Sequence, residues 1–398
     1  MPTTCIRLNS GTKLALFADM RASMLRPVAL PSHLAGRPAP CDIFDAKGTL
    51  LQKAGSPLIV RSAHTLRRHR VFCEASKADS ISAANPIAKM RAARTALSDL
   101  AERAESGQEA AAPEFIALAG ELHDAWQLDP DACIGYARLD YSERSSVCHA
   151  VLAALIAAEL AAANGLPRET TTDLIGAALT MNLGSMAAHD ELFALPEAPK
   201  FRPSDECRMH PLDAVRLLES LGSFPFGWLQ TVVQHHESID GTGYPQGLTG
   251  LKISLAARML RIADALAAKF VVGRLRTPQH WNISKAKYVD HLIQHVFGAE
   301  AQRLDLPLVR QLMTRLGFFP PGTLVRLSNG ETAVVNRRLS EDNAPPREAI
   351  SVLDARGRLL EAPRLRPLGT RDCRIQSYVH DELHRLPHYE WQQIWGYA

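Results

Sequence analysis

Five histidine and aspartate residues in this sequence have the chemistry of a metal site. His235 and His236 are adjacent, His149 and Asp264 each lie in a long apolar stretch, and His210 precedes a proline near a predicted helix start. Buried imidazole and carboxylate groups need polar partners, and they are also side chains that hold transition metals. Taken singly, each of the five is more often structural than functional, so the surrounding sequence has to decide.

The segment that follows the histidine pair has the composition of a shaped loop. Gly241 and Gly243 accept backbone conformations that other residues avoid, and Tyr244 with Pro245 stiffens and turns the chain. A helix that ends in two histidines and runs into such a loop can place metal ligands beside a pocket. An ordinary turn has the same local composition and stays open as the alternative.

The run from His235 to Leu248 resembles the H-H-E-x-x-D-G-x-G-Y-P-x-G-L signature of HD-GYP proteins, and every fixed position is matched. HD-GYP proteins are bacterial signalling phosphodiesterases of the HD superfamily, which hydrolyse cyclic di-GMP. The similarity covers roughly residues 112–316. Three further segments carry it: Cys148 to Leu166, Met209 to Ala214 and Ala256 to Asp264.

The resemblance implies a ligand role for the five residues above. By this resemblance, His149 and Asp264 of this chain would contribute to a first metal position, and His210, His235 and His236 would contribute to a second. The metals of the family are iron or manganese, and three imidazoles with open positions can hold one ion.

The resemblance also implies a nucleotide site. Arg274 and Arg276 lie near a basic segment of the family, and guanidinium groups suit phosphate, although two surface arginines are an equal alternative. The loop residues implied to contact the substrate are Asp240, Gly241, Gly243, Tyr244 and Pro245.

The His-Asp dyad of the family is missing from this chain. Its A-A-L-L-H-D-I-G-K segment aligns without a gap with Ala177 to Ser185, which places Met181 and Asn182 at the dyad and Ser185 at the lysine. In the family the dyad aspartate bridges two metals, which activate water and stabilise the entering and leaving oxygens. Asn182 keeps the shape without the charge, and the Met181 thioether matches iron or manganese poorly. The resemblance therefore implies one ion or none, with reduced or absent catalysis.

Three His-Asp dipeptides occur elsewhere, beginning at His123, His189 and His380. The first precedes the opening helix, the second falls where the family reads I-P-D-E-I-L, and the third lies in the C-terminal tail. We expect none of them to replace the dyad, and the reach of His189 into the site is a minor alternative. Ser145 stands where some members have a glutamate for a third metal, so no third ion is expected.

The pattern along the chain predicts a mainly α fold, in which an HD-superfamily helical domain is flanked by small β-rich modules. We place an N-terminal module with a β-hairpin at 1–80, the helical domain at 84–316, a β-rich extension at 318–375 and a tail at 376–398. The C-terminal strands are predicted at Thr323 to Leu327, Glu331 to Val335 and Ala349 to Leu353.

Local signals refine this prediction. The hairpin pairs Cys41 to Phe44 with Thr49 to Gln52, and a short helix follows at Ser62 to His69. Residues Glu102 to Ala112 are expected to form a linker or loop, and Gly165 to end a helix. Apolar residues at three- and four-residue spacing predict helices at Ile87 to Leu100, Pro113 to Trp126, Ser145 to Asn164, Arg168 to Leu179, Asp205 to Leu221, Pro225 to Gln234, Ser254 to Val271, Ser284 to Phe297 and Asp305 to Leu316.

Composition argues for a cytoplasmic protein. A net charge of +3 offers no case for nucleic acid. The seven cysteines include no C-x-x-C pair, which fits reduced thiols. The N-terminus does not resemble a signal peptide. The apolar stretch Ala150 to Leu166, interrupted by Glu159 and Asn164, is expected to be a buried helix rather than a membrane span.

The sequence leaves three functions open. The first is a catalytically impaired HD-GYP-like protein that acts by binding cyclic di-GMP or a partner. The second is an active phosphodiesterase with an altered metal site that holds one ion. The third is a protein-interaction module that contacts a diguanylate cyclase or another signalling protein.

Overall fold

We describe the protein from a computed structural model. The chain divides into two compact units, one formed by Met1–Asn85 with Gln392–Ala398 and the other by Pro86–Trp391. The residues implied in metal binding lie in the second unit. The structure describes residues 25–28, 37–45, 48–58, 71–74, 77, 85–194, 205–271, 296–338, 346–369, 373–379 and 389–397.

The first unit contains a small antiparallel sheet with strand order β1-β4-β2-β3. The predicted hairpin is confirmed as the pair β2 and β3. In its turn, the Asp45 carboxylate accepts a hydrogen bond from the Thr49 backbone N–H at 2.8 Å. The predicted helix at Ser62 to His69 lies outside the described residues. The strands are β1 (Leu25–Val28), β2 (Ile43–Phe44), β3 (Leu50–Gln52) and β4 (Val71–Glu74).

The second unit begins with helices. They are α1 (Pro86–Glu105), α2 (Ala112–Leu128), α3 (Pro130–Leu139), α4 (Ser145–Ala163), α5 (Arg168–Thr180), α6 (Met186–Ala194), α7 (Asp205–Leu221), α8 (Phe226–Gln234), α9 (Leu255–Val271) and α10 (Leu306–Leu316). Short 3₁₀ turns occur in this unit at Gly250–Lys252 and Gly298–Arg303, and a third, at Trp391–Trp395, falls almost wholly in the part of the chain that belongs to the first unit.

Helix α4 is the central helix of this unit. Every residue from Ser146 to Ala161 is buried, because α5, α9 and other helices pack around it. Among the described helices, α4 is the one long and apolar enough to cross a membrane, yet 89% of its most apolar window is buried inside the protein. That is the position of a core helix. Gly165 has φ 66° and ends the helix as predicted.

Several boundaries differ from the sequence-based expectation. Helix α1 continues to Glu105, so the expected linker is shorter than predicted. Helices α3 and α6 were not predicted. Asp129 starts α3 by accepting a hydrogen bond from the Ala132 N–H at 3.1 Å, with Pro130 in the first helical position. Most of the predicted helix Ser284 to Phe297 lies outside the described residues.

The chain then forms a second antiparallel sheet, with strand order β8-β7-β6-β5-β9. Its first three strands match the predicted ones, whereas β8 and β9 were not predicted. The mainly α fold with small sheets in the N- and C-terminal regions is therefore confirmed. The strands are β5 (Thr323–Leu327), β6 (Thr332–Val335), β7 (Glu348–Leu353), β8 (Leu359–Pro367) and β9 (Ile375–Tyr378).

Candidate metal centre and nucleotide loop

Three histidines converge where α7 meets the end of α8. His210 lies on α7, and His235 and His236 directly follow the last residue of α8. One ligand nitrogen from each ring lies within 4.8 Å of the others, and the Nε2 atoms of His210 and His235 are 3.2 Å apart. Converging imidazole nitrogens of this kind can share a proton or a metal ion.

A backbone contact sets the tautomer of His235. Its Nδ1 lies 2.6 Å from the carbonyl oxygen of Val232. Because a carbonyl only accepts, Nδ1 must donate, and the lone pair of Nε2 is left facing His210. Burial lowers the pKa of His235 to about 3 and the pKa of His236 well below its usual value. Both rings are therefore neutral near pH 7, which is the form that binds metals.

The other two implied ligands form a pair between α4 and α9. Nε2 of His149 lies 2.9 Å from Oδ1 of Asp264. Burial alone would raise the pKa of Asp264, but the His149 hydrogen bond and the surrounding histidines lower it below its usual range. Arg261 adds a longer contact of 3.9 Å to Oδ2. This carboxylate is ionised and is held beside an imidazole.

A sixth residue, His189 on α6, lies close to both groups. Its ring centroid is 6.5 Å from that of His149 and 6.2 Å from that of His210. Burial, together with the nearby His149, lowers the pKa of His189 to about 4. The signal for this residue in the sequence is its place in a His-Asp dipeptide.

The two residues predicted to stand at the dyad positions lie just beyond the end of α5. Met181 and Asn182 are both buried, and the Asn182 Oδ1 atom has no hydrogen-bond partner among the described residues. The end of α5 is held by Trp228, whose indole N–H donates to the Thr180 hydroxyl at 2.8 Å. A buried amide oxygen without a donor is a suitable neutral ligand for a cation.

The donor set fits a divalent transition metal. Three converging imidazoles suit iron or zinc, and a carboxylate extends the range to manganese. The residues that would hold metal are the predicted ones, His210, His235 and His236 in one group and His149 with Asp264 in the other. A bound ion would supply Lewis-acid activation of water and stabilisation of phosphate oxygens.

The loop after the histidines packs against them. The Tyr244 ring stacks on His236, with centroids 4.7 Å apart and an interplanar angle of 30°, and the Tyr244–Pro245 peptide bond is cis. Gly243 is required here, because a Cβ at this position would lie 2.3 Å from the Ser238 nitrogen. The structure thus brings Tyr244 and Gly243 beside the triad.

Other loop residues shape the loop itself. The Asp240 side chain accepts hydrogen bonds from the Thr242 backbone N–H at 3.0 Å and the Thr242 hydroxyl at 2.8 Å. Gly241, with φ 79°, lies at the turn between them. Asp240 is exposed and 4.0 Å from Arg303.

Comparison with known proteins identifies the domain. Residues 122–282 match the HD domain family, a span that contains the histidines, Asp264 and the loop. The chain contains an HD domain. The predicted kinship is further supported by curated relatives that are named as cyclic di-GMP phosphodiesterases.

Three curated relatives align with parts of this chain. The chain is 26% identical over 260 residues to cyclic di-GMP phosphodiesterase PA4108 of Pseudomonas aeruginosa, covering 64% of this chain and 59% of the relative. It is 26% identical to PdeB of Borreliella burgdorferi, covering 31% and 32%. It is 31% identical to the response regulator RpfG of Xanthomonas campestris, covering 29% and 30%. The chain thus spans less than two thirds of the length of each of these curated relatives.

A solved structure also aligns with this chain. It is Bd1817, an HDG"Y"P protein of Bdellovibrio bacteriovorus, with a TM-score of 0.44 and 16% identity. The alignment covers 72% of this chain and 98% of that chain.

Two residues of the HD domain were missed at the sequence level. Glu237 is buried, and its carboxylate accepts hydrogen bonds from the N–H groups of Gln246 at 2.6 Å and Leu248 at 2.8 Å. Its fixed place in the loop signature was the available signal. Arg208 lies 5.9 Å from the centroid of the Tyr244 ring, and no local pattern points to it.

The predicted Arg274 and Arg276 lie outside the described residues. Their role in binding phosphate therefore remains a prediction, as it was at the sequence level.

Proposed function

We propose that this chain is a signalling protein that binds cyclic di-GMP at a metal centre with weakened or lost hydrolytic activity. One observation carries this proposal: an intact histidine triad beside the loop, combined with a neutral Asn182 in place of a bridging carboxylate. The triad provides a place for one ion. The amide cannot offset the charge of two adjacent cations, so a bridged pair of metals is disfavoured.

The surroundings of the triad suit a cyclic dinucleotide. Tyr244 offers an aromatic face next to His236, and Arg208 brings a guanidinium group close to that ring. Aromatic rings stack on bases, and guanidinium groups pair with phosphate oxygens. His210 and His236 are only partly buried, so a bound phosphate can reach the ligand atoms from solvent. The relatives named as cyclic di-GMP phosphodiesterases support this choice of ligand.

The test combines three measurements on the purified chain: metal content, binding of cyclic di-GMP by calorimetry, and turnover followed by chromatography. We expect metal and nucleotide binding with little or no turnover. Clear turnover by protein that holds two ions per chain would refute the impaired-enzyme proposal. Absence of nucleotide binding would leave a protein-interaction module, for which a diguanylate cyclase is the partner to test.

A second candidate function is an active phosphodiesterase with one ion. The convergence of three imidazoles favours it, because open positions on an ion held there can polarise a phosphodiester. The double variant Met181→His with Asn182→Asp separates the two. If the centre is otherwise sound, metal content and turnover should both rise. An unchanged variant would show that residues 181–182 are not the dyad positions.

A further inference from the structure

A short turn beyond the matched HD domain contacts the loop that follows the histidine pair. The turn is Gly298–Arg303, and the family match ends at residue 282. Arg303 donates from Nε to the Thr242 hydroxyl at 2.9 Å and from Nη2 to the Thr242 carbonyl at 3.1 Å. The carbonyl of Arg303 accepts a hydrogen bond from the Ile239 N–H at 3.1 Å. The side chain and the backbone of one residue thus hold the loop on both sides of Asp240.

The same turn is fastened to α9, the helix that carries Asp264. Glu300 in the turn accepts a hydrogen bond from Arg261 of α9 at 2.6 Å. Asp305, two residues after the turn, forms an ion pair with Arg258 of the same helix. The side chains of both pairs are mostly shielded from solvent, where salt screens a charge interaction less than it does at the surface. The turn is therefore a fixed support from which Arg303 can hold the loop.

The guanidinium group of Arg303 is directed at the loop itself. Its planar fork can donate to two acceptors of one residue, which a lysine ammonium cannot do with the same geometry. The Asp240 carboxylate lies 4.0 Å from Nε and makes this position less favourable for a phosphate. The contacts of Arg303 are therefore those of a residue that shapes the loop, and not those of a phosphate ligand.

We propose that Arg303 is a positioning residue for cyclic di-GMP binding. It holds Thr242, and through Thr242 it holds the turn at Asp240 that leads to Tyr244 beside the histidine triad. The inference rests on the proposed function for the identity of the ligand. The effect of Arg303 on the loop does not require the nucleotide, so the two can be tested separately.

The first test is hydrogen exchange in the full chain without nucleotide. Arg303→Ala should speed exchange at the Gly241 and Tyr244 amides, which are hydrogen-bonded within the loop, and should leave α10 and the metal content unchanged. Gln302→Ala changes an exposed residue of the same turn and is the matched control, with unchanged exchange in the loop. Unchanged loop exchange in Arg303→Ala overturns the inference. Faster exchange throughout the chain overturns it as well, since Arg303 would then act on overall stability.

The second test is calorimetric binding of cyclic di-GMP by the metal-loaded chain at low and at high salt. Arg303→Ala should bind about tenfold more weakly at both, because it loses hydrogen bonds within the loop and not a charge contact with the ligand. Arg303→Lys keeps the charge without the fork and should also bind more weakly.

Two binding results would assign Arg303 to the phosphate and overturn the positioning role. One is wild-type affinity in Arg303→Lys, and the other is a loss in Arg303→Ala that disappears at high salt. A wild type that binds no cyclic di-GMP would refute the proposed ligand, and hydrogen exchange would still decide whether Arg303 holds the loop.

Discussion

Asn182 is the residue on which the proposed weakening of the metal centre depends. Asn182 is buried and its Oδ1 has no hydrogen-bond partner among the described residues. A carboxylate in that position would need a cation nearby, because an isolated buried charge is costly. The amide avoids this cost in the metal-free protein and gives up the charge that would hold two ions together. Under the proposed function, an amide at this position exchanges catalytic power for tolerance of an empty site.

Asn182→Asp should therefore have opposite effects with and without metal. Without metal the new buried charge is expected to lower the melting temperature. The affinity of the variant for Mn²⁺ should be at least about tenfold higher than that of the wild type, equivalent to ~1.4 kcal/mol, so excess Mn²⁺ should stabilise the variant more. Thermal melts with chelator and with Mn²⁺ measure both effects. Asn182→Ala is the control, and tighter Mn²⁺ binding by that variant would contradict the argument from charge.

The packing of α5 against α8 positions the dyad segment. Trp228 on α8 is fully buried and lies against Gly176 of α5. Its indole N–H donates a hydrogen bond to Thr180, the last residue of α5. A Cβ at Gly176 would lie 2.0 Å from the indole ring. Any side chain there must push the two helices apart, and the displacement would reach Met181 and Asn182.

Gly176→Ala should destabilise the protein by about 1–3 kcal/mol through overpacking. Gly120→Ala is a matched control, because Gly120 is also helical and a Cβ there meets nothing within 4 Å. That control should be neutral or stabilise by up to ~1 kcal/mol. Urea titrations give both values. Equal effects of the two substitutions would mean that the close contact with Trp228 is not restrictive.

The loop depends on the buried carboxylate of Glu237. Its two acceptors hold the N–H groups of Gln246 and Leu248 on either side of Gly247. Glu237→Ala should free these two amides and loosen the loop. Because a hydrogen bond to a charged group is worth ~1.5–3 kcal/mol, we expect the affinity for cyclic di-GMP to fall by about tenfold or more. Hydrogen exchange at both amides and calorimetry check this. Glu237→Gln should show a smaller loss, since it keeps one acceptor, and unchanged exchange in Glu237→Ala would refute the role.

At the scale of the second unit, a buried ion cluster joins distant parts of the chain. Glu159 on α4 is fully buried and accepts hydrogen bonds from Trp126 at 3.0 Å, from Arg315 at 2.6 Å and from Arg338 at 2.7 Å. Arg338 also pairs with Asp131. One carboxylate thus connects α2, α4 and α10 to the segment after β6. The Glu159 carboxylate therefore helps to hold several elements in place at once.

The cluster predicts a loss of stability in acid. Burial opposes ionisation of Glu159, but Arg338 and Arg315 hold its pKa below the usual 4.5. The unfolded chain takes up the proton first, so the contribution of Glu159 is present above about pH 4.5 and is lost as the pH falls below it. Glu159→Gln should cost about 3–5 kcal/mol at pH 7 and show a weaker pH dependence. Urea titrations at several pH values measure this, with the exposed Glu121→Gln as the control; equal pH slopes for Glu159→Gln and wild type would contradict it.

Local patterns predicted most helices because an apolar face repeats along each of them. Helix α3 is not among the predicted helices, although Asp129 and Pro130 form a recognisable start signal for it. Helix α6 is short, and His189 to Glu191 carry polar side chains, so no apolar period marks it. The Glu159 cluster could not be predicted, because the residues that contact Glu159 lie 33 to 179 residues away from it along the chain.

The sequence by itself determined that an HD domain is present and which histidines it contains, and it predicts that Met181 and Asn182 stand at the dyad positions. These are properties of residue identity and order, and a motif records them directly. Only the tertiary structure decided that His189 lies near both His149 and His210. That proximity depends on the direction in which α6 leaves α5 and on the contacts of Asp190 with the start of α4. Such contacts are made between residues far apart in the chain, and no local pattern encodes them.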